Sequence, residues 1–183
     1  MKRLVMACLL LGLVSGTRGD DPQPKDKMGG DPPGAEHKAL TKLVGEYTTA
    51  TTMNMGGPPQ TSKGTAKITS VLEGRFIAED GKGDMMGMQY MSHKMYGYNN
   101  AAKKYEGVWM WTNGTSMMNL SGTSSDGGKS VVFNASFDQG GSKMTFGITM
   151  KRIDDDHFTV EMTGKNPDGT PGGTMMTTYT RKK

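Results

Sequence analysis

Residues 88–111 read MQYMSHKMYGYNNAAKKYEGVWMW, and this stretch decides the fold. On both sides of Asn99-Asn100, large apolar and aromatic side chains alternate with polar or small ones, which is the period of a β-strand. Consecutive asparagines are typical of a tight turn between two strands. The stretch therefore predicts a β-hairpin, with strands over 88–98 and 104–111.

The same alternation recurs through most of the chain, between clusters of Gly, Asn, Asp and Pro. The further predicted strands span 47–54, 61–72, 75–84, 116–122, 130–137, 143–153, 157–164 and 174–180. About ten strands at hairpin spacing favour an all-β fold, an antiparallel up-and-down β-barrel, because closure leaves few exposed edges. An open sandwich is the alternative.

The N-terminal residues have the order of a secretory signal peptide. A positively charged start is followed by apolar residues 4–14 and by small residues at 15–19. The apolar segment is far shorter than the roughly 20 residues that span a bilayer, so no membrane span is predicted. We expect residues 1–19 to be removed on export, with lipidation at Cys8 as a minor alternative.

A spacer and a short helix separate this leader from the strands. Residues 20–35 are rich in Pro, Gly and Asp, which is typical of a disordered segment. Residues 36–44 place four apolar side chains on one helical face, and Gly45 ends the pattern. We expect the barrel domain, with this helix at its start, to span residues 36–183.

Charge and cysteine content exclude two classes of protein. Loss of Lys2, Arg3 and Arg18 with the leader changes the formal net charge from +4 to +1, which argues against nucleic acid as a partner. The basic tail at 181–183 is interpreted as a solvated terminus. Since Cys8 is the only cysteine and lies in the leader, the mature chain has no disulfide.

Several motifs, in order along the chain, carry a family resemblance. They are LVGEY at 43–47, GRF at 74–76, GDMMGM at 83–88, GYNN at 97–100, KY at 104–105, VW at 108–109, DDDHF at 154–158 and TYTRK at 178–182. From about Ala39 to the C-terminus the chain resembles DUF1579, a family of uncharacterised bacterial proteins. The resemblance implies a calycin-like, lipocalin-type barrel and no established reaction; His93, Met95 and Trp111 depart from the residue types common in the family.

Aromatic and methionine side chains indicate a wall suited to a small hydrophobic ligand. With the bacterial resemblance, the leader predicts a periplasmic or secreted protein that binds such a molecule without catalysis. The residues expected to line the barrel are Met88, Tyr90, His93, Met95, Tyr105, Trp109 and Trp111. A barrel filled by its own side chains is the alternative.

The methionine content suggests a second function. The chain has 18 methionines, and Met91, His93 and Met95 project from one face of a strand at i, i+2 and i+4. Thioethers favour Cu(I), so a periplasmic copper-binding protein using these three residues is the second hypothesis. Haem bound through His93 is a weaker one. Core packing explains the same methionines without any metal.

No catalytic motif occurs in the sequence. It contains neither a Gly-x-Ser-x-Gly elbow nor a His-Glu-x-x-His pair. His157 follows three aspartates at 154–156, but Asp-rich segments form turns through bonds to their own backbone. An enzyme with a site at the barrel mouth would require a perturbed His93 or His157.

Overall fold

The computed structural model describes residues 31–85, 87–165 and 170–183. The expected signal peptide at 1–19 and most of the expected spacer lie outside the described residues. Within these ranges the chain forms one helix, α1 (Ala35–Thr41), followed by ten strands. The strands are β1 (Gly45–Asn54), β2 (Gln60–Val71), β3 (Phe76–Met85), β4 (Met88–Asn99), β5 (Lys104–Trp111), β6 (Met118–Thr123), β7 (Ser130–Gln139), β8 (Ser142–Arg152), β9 (His157–Lys165) and β10 (Pro171–Arg181).

The strands form a closed antiparallel barrel. Each strand pairs with the next along the chain, and β10 pairs with β1 to close the ring. This confirms the predicted up-and-down barrel. The largest shift of a strand boundary is at β10, which starts at Pro171 rather than residue 174, and the register with β9 is irregular between Pro171 and Thr174.

Helix α1 covers one end of the barrel, which we call the helix end. It is shorter than the predicted 36–44, because the chain turns after Thr41 through bonds from Leu43 N to Leu40 O and from Val44 N to Thr41 O. Leu40 and Leu43 are buried in the barrel core. No helix in the described ranges is long and apolar enough to cross a membrane. The opposite end, with the β1–β2, β3–β4, β5–β6, β7–β8 and β9–β10 connections, is the mouth.

Arg181 corrects the expectation of a solvated C-terminal tail. Its guanidinium donates to the carbonyl oxygens of Val44 at 2.6 Å, Lys42 at 3.0 Å and Asp155 at 3.0 Å. It also lies 4.9 Å from the ring centroid of Tyr47. The side chain therefore ties the segment after α1 to β10 and to the β8–β9 turn.

The aspartates before β9 form the predicted turn. Asp154 Oδ1 accepts the backbone N–H groups of Asp156 at 2.8 Å and His157 at 2.7 Å. These backbone bonds, the one from Asp156 above all, lower the pKa of Asp154. His157 Nδ1 also lies 2.9 Å from the same oxygen, so the histidine belongs to the turn.

The half of the interior nearer α1, which we call the helix half, is filled by aromatic rings. Phe158 and Tyr179 stack with their centroids 4.0 Å apart, and Tyr47 meets Phe158 edge to face at 5.2 Å. All three are at most 2% exposed. Edge-to-face and stacked rings of this kind add packing energy to their burial. The helix half is therefore a packed core.

Candidate functional site

The other half of the interior, the mouth half, contains a cavity. Its volume is about 70 Å³, which is small beside the ~300–1,000 Å³ of ordinary ligand pockets. Short polar side chains line much of it, including Thr49, Thr51, Ser62, Ser92 and Thr177. The cavity therefore suits the end of a molecule, and the remainder of a larger one would extend through the mouth.

Glycines on β2 and β3 create part of this space. Gly64 and Gly83 lie opposite each other in the register, and a Cβ on Gly64 would collide with the carbonyl oxygen of Lys82. A Cβ on Gly81 would collide with Ser92 Oγ. The strands approach closely because these positions have no side chain, and the interior surface there is bare backbone.

A buried charged cluster forms the floor of the cavity. Glu79 on β3 and Lys94 on β4 are directly opposite in the register, and Lys94 Nζ lies 2.7 Å from Glu79 Oε1. Tyr179, on β10, reaches both: its hydroxyl accepts from Lys94 Nζ at 3.0 Å and donates to Glu79 Oε1 at 2.9 Å. The three side chains are 3%, 5% and 2% exposed for Glu79, Lys94 and Tyr179 respectively.

Burial and mutual attraction fix the protonation of this cluster. Burial alone lowers the pKa of Lys94, but the Glu79 carboxylate outweighs it and the net shift is upward. Burial, reinforced by the charge of Glu79, raises the pKa of Tyr179 well above its ordinary value. At neutral pH the floor therefore holds an ammonium group and a neutral phenol.

Trp109 forms the wall next to this cluster and has an unused donor. Lys94 Nζ lies 4.5 Å from the centroid of its ring, a cation–π arrangement. Trp109 is 6% exposed, yet its Nε1 makes no hydrogen bond of good geometry among the described residues; the Tyr90 hydroxyl lies beside it but is not well placed to accept. Leaving a buried donor unpaired costs about 1–3 kcal/mol, so this N–H is suited to an acceptor supplied by a ligand.

Hydroxyl groups surround the upper cavity. Thr51 and Thr177, on neighbouring strands, are joined through their hydroxyl oxygens at 3.0 Å. Tyr90 lines the same space from β4, and burial raises the pKa of its phenol. These groups offer both donors and acceptors above the charged floor.

Five of the seven expected lining residues lie elsewhere in or around the barrel, and two line the cavity. Tyr90 and Trp109 are the two in the cavity wall. Trp111 is half-buried and packs edge to face against Phe137 at 5.1 Å, on the side of the barrel opposite β2. Tyr105 is near the helix end, where burial raises its pKa to about 12. Met88 is 57% exposed at the start of β4.

His93 and Met95, also expected in the lining, lie on the outer face of β4. The buried residues of this strand, Lys94 and Tyr96, fix which alternate positions point inward, and His93 and Met95 have the other parity. His93 Nδ1 is 2.8 Å from Asp80 Oδ1 on the outside of the neighbouring strand. The expected set therefore mixed the two faces of one strand.

The three residues of the copper hypothesis share that outer face. Met91 is 52% exposed. His93, which lies between Met91 and Met95, is paired with the carboxylate of Asp80. Among the described residues, no three His, Cys, Asp or Glu side chains are grouped so as to hold a metal ion.

Sequence reasoning missed the charged floor. Lys94 sits at an inward position of β4, between the inward Ser92 and Tyr96, and Glu79 follows the apolar Ile77 and Ala78. Charged residues of opposite sign at inward positions of two strands that pair in a hairpin are a detectable signal for a buried ion pair.

Two solved structures share the fold. Rv2717c from M. tuberculosis has a TM-score of 0.60 and 12% identity, covering 81% of this chain and 98% of that one. The S-type phycobiliprotein lyase CPES from Guillardia theta has a TM-score of 0.56 and 10% identity, covering 80% of this chain and 92% of that one. At these identities the likeness concerns the fold alone.

The sequence comparisons point to a single family. None of the curated proteins matches this chain. The family model described as "Protein of unknown function (DUF1579)" matches residues 32–181, which includes α1 and all ten strands of the barrel. The protein therefore belongs to the DUF1579 family, as the motifs along its strands predicted.

Proposed function

We propose that this protein binds a small, mainly hydrophobic molecule whose polar end lies against Lys94, Glu79 and Trp109. The observation that carries the proposal is the indole N–H of Trp109, which is buried beside the cavity and makes no hydrogen bond of good geometry within the described residues, although the Tyr90 hydroxyl lies beside it. An acceptor atom of the ligand would satisfy this donor and receive a further N–H from the Lys94 ammonium. Rigid polar groups in a pocket fix the orientation of a ligand.

The mouth suits the hydrophobic part of such a molecule. Met55, Met88 and Met117 are 76%, 57% and 57% exposed, and all three lie in or beside connections at that end. Methionine side chains are flexible and polarizable, so they adapt to apolar surfaces of different shape. A ligand too large for the 70 Å³ cavity would therefore make apolar contacts with these methionines outside the cavity.

We propose binding without catalysis. The upward shift of the Lys94 pKa keeps its amine protonated, which removes the lone pair that a nucleophile or a Schiff base needs. Glu79 Oε1 already accepts from Lys94 and Tyr179, so the cluster is arranged as a fixed polar surface. The likeness to a phycobiliprotein lyase, at 10% identity, concerns the fold alone and does not assign a reaction to this chain.

We also propose that binding takes place outside the cytoplasm. The support is the leader pattern at residues 1–19, with its charged, apolar and small-residue segments. Expression with a C-terminal tag in a bacterial host, followed by fractionation and N-terminal sequencing, tests this point. Recovery of the uncleaved chain from the cytoplasm would contradict it.

Fluorescent-probe binding tests the site directly. We expect 1-anilinonaphthalene-8-sulfonate, an apolar ring system with a polar end, to bind the wild-type protein. Trp109→Phe keeps an aromatic ring but removes the N–H, and we expect it to weaken binding about tenfold, the equivalent of one hydrogen bond. Trp111→Phe is the matched control, because Trp111 packs against both Trp109 and Phe137 but does not itself line the cavity.

The two variants separate the possible outcomes. Equal affinity in Trp109→Phe and wild type would exclude the indole donor as a binding group. Equal loss in both variants would indicate a general effect of aromatic packing. Native mass spectrometry of the protein from its own host complements the titration, since a bare polypeptide mass together with no probe binding would favour a packed barrel over a binding protein.

A further inference from the structure

Three methionines on neighbouring strands project into the mouth half of the barrel. Met53 on β1 pairs with Met175 on β10, and Met175 pairs with Met162 on β9. Each lies an even number of positions from a buried interior residue of its own strand, so all three point inward. We call these residues the methionine ladder.

The register brings the three thioethers within reach of one another. Residues directly opposite on one face of an antiparallel pair have Cβ atoms ~4.5–5.5 Å apart. Met175 is the central member, and the flexible side chains of Met53 and Met162 can lean toward it from either side. Met53 is 9% exposed and the other two are half-buried. Met175 also lines the cavity, which gives solutes access to the ladder.

The surroundings of the ladder toward the mouth contribute one aromatic ring, Phe146 over Gly164, and one further sulfur. The next inward positions toward the mouth are Gly164 on β9 and Gly173 on β10, which have no side chains. Met55 fills the space over Gly173, where a Cβ would collide with the Met55 thioether. The three methionines of the ladder therefore line the interior wall, and the exposed Met55 lies beside them at the mouth.

Neutral thioethers in this arrangement match the preferences of one metal ion. Thioether sulfur is a soft ligand, and it selects Cu(I) over hard cations such as Mg²⁺ or Ca²⁺. We infer that the methionine ladder is a Cu(I) site, separate from the ligand-binding groups Lys94, Glu79 and Trp109.

The outer residues Met91, His93 and Met95 are less suited to the same ion. Alternate residues of one strand are ~6.4–6.8 Å apart along the chain, farther than opposed residues of the ladder. His93 would have to leave Asp80, which lies 2.8 Å from its Nδ1. The structure therefore assigns copper binding to the ladder, on different residues from those that the sequence favours.

Competition for Cu(I) under anaerobic conditions tests this site. The barrel protein is titrated with Cu(I) in the presence of the chromogenic chelator bicinchoninate, and Cu(I) transfer is measured by absorbance. We expect a single Cu(I) ion per wild-type chain and at least a tenfold weaker affinity in Met175→Leu, which removes the central sulfur. Leucine is close to methionine in volume, and such exchanges usually leave a core folded.

Two controls make the result specific. Met150→Leu removes a buried methionine from the interior of β8, outside the ladder, and Met91→Leu with Met95→Leu removes the outer pair. We expect both to bind Cu(I) like the wild type. Absence of Cu(I) uptake by the wild type, unchanged uptake in Met175→Leu, or loss of uptake only in the outer variant would each overturn the assignment. Circular dichroism confirms that each variant is folded.

Discussion

The two halves of the barrel interior are built from the same strands but from different residues. In the helix half, Tyr47, Phe158 and Tyr179 pack ring against ring. In the mouth half, threonines, serines and glycines leave a cavity over the Glu79–Lys94 pair. The difference shows how one closed sheet can be stabilised by packing at one end and have space for another molecule at the other.

The Glu79–Lys94 pair lies at the boundary between these halves. A buried ion pair contributes little net stability when compared with apolar residues of the same size, because both charges lose their hydration. Its presence at the floor of a cavity is instead consistent with a polar surface presented to a ligand. The stability of the fold should therefore depend more on the rings below the pair than on the side chains above it.

Phe158→Ala should give the largest loss of stability. Phe158 is 1% exposed and stacks on Tyr179, so its removal leaves a cavity in a rigid core and should cost about 4 kcal/mol. Met162→Ala, on the same strand in the mouth half, should cost only about 1–2 kcal/mol because the side chain is half-buried. Urea unfolding measures both, and equal losses would contradict the division of the interior.

Lys94→Ala should have the next largest effect. The variant leaves the Glu79 carboxylate buried without its cation, which should lower the free energy of unfolding by about 3 kcal/mol. This value is at the low end for broken buried pairs, because the cavity beside the carboxylate admits water. The double variant Glu79→Gln with Lys94→Met removes both charges and should recover most of that loss. If the double variant unfolded in urea as readily as Lys94→Ala, the unpaired Glu79 charge would not be the cause of the lost stability.

The fold was predictable from local chemistry. Strand β5 was predicted as 104–111 and has those bounds, because alternation and flanking turn residues act within a few positions of each other. The turn at Asp154 was predictable for the same reason. Helix α1 was predicted too long, since its last turn is replaced by the tighter i→i−3 bonds of Leu43 and Val44.

The site was predictable only in part, because it depends on which face of each strand points inward. In β4 both faces carry large side chains, Tyr90 and Tyr96 on one and Met91 and Met95 on the other. Alternation alone cannot distinguish the inner from the outer face there. Contacts between distant strands, such as Tyr179 with Glu79, depend on closure of the barrel and have no local signal.

High pH should weaken the fold. Burial raises the pKa of Tyr179 and Tyr96 above their ordinary value of 10.0, and that of Tyr105 to about 12. The unfolded chain then loses protons near pH 10 that the folded chain retains, so stability is intact below pH 10 and falls above it. Each such group contributes about 1.4 kcal/mol per pH unit over this range.

Tyr105→Phe provides the control for the pH effect. The Tyr105 hydroxyl is buried and has no hydrogen-bond partner among the described residues, so its removal should not reduce stability at pH 7. Urea unfolding between pH 7 and pH 11 should show a shallower decline in this variant than in the wild type. An unfolding free energy that stays constant up to pH 11 in the wild type would contradict the pKa shifts.

The smallest predicted effect concerns the turns at the two ends. Leu72 and Glu73, in the β2–β3 turn at the helix end, have positive φ angles of 50° and 57°, which cost residues with a Cβ atom free energy. Leu72→Asn with Glu73→Gly supplies the residues that such a hairpin turn prefers, and should stabilise the protein by about 0.5–1 kcal/mol. The exposed ion pair of Glu73 with Arg75 is lost, with little effect.

A glycine at the mouth gives the opposite test of the same argument. Gly87 has a φ of 79°, and a Cβ there would meet nothing within 4 Å, so only backbone strain opposes a side chain. Gly87→Ala should therefore destabilise the barrel by about 1 kcal/mol. Thermal unfolding of both variants measures the pair of effects. Neither change touches the interior. A rise of the melting temperature in the first variant and a fall in the second would show that the turns at both ends obey the same backbone preference. The two halves of the interior, by contrast, differ in their side chains.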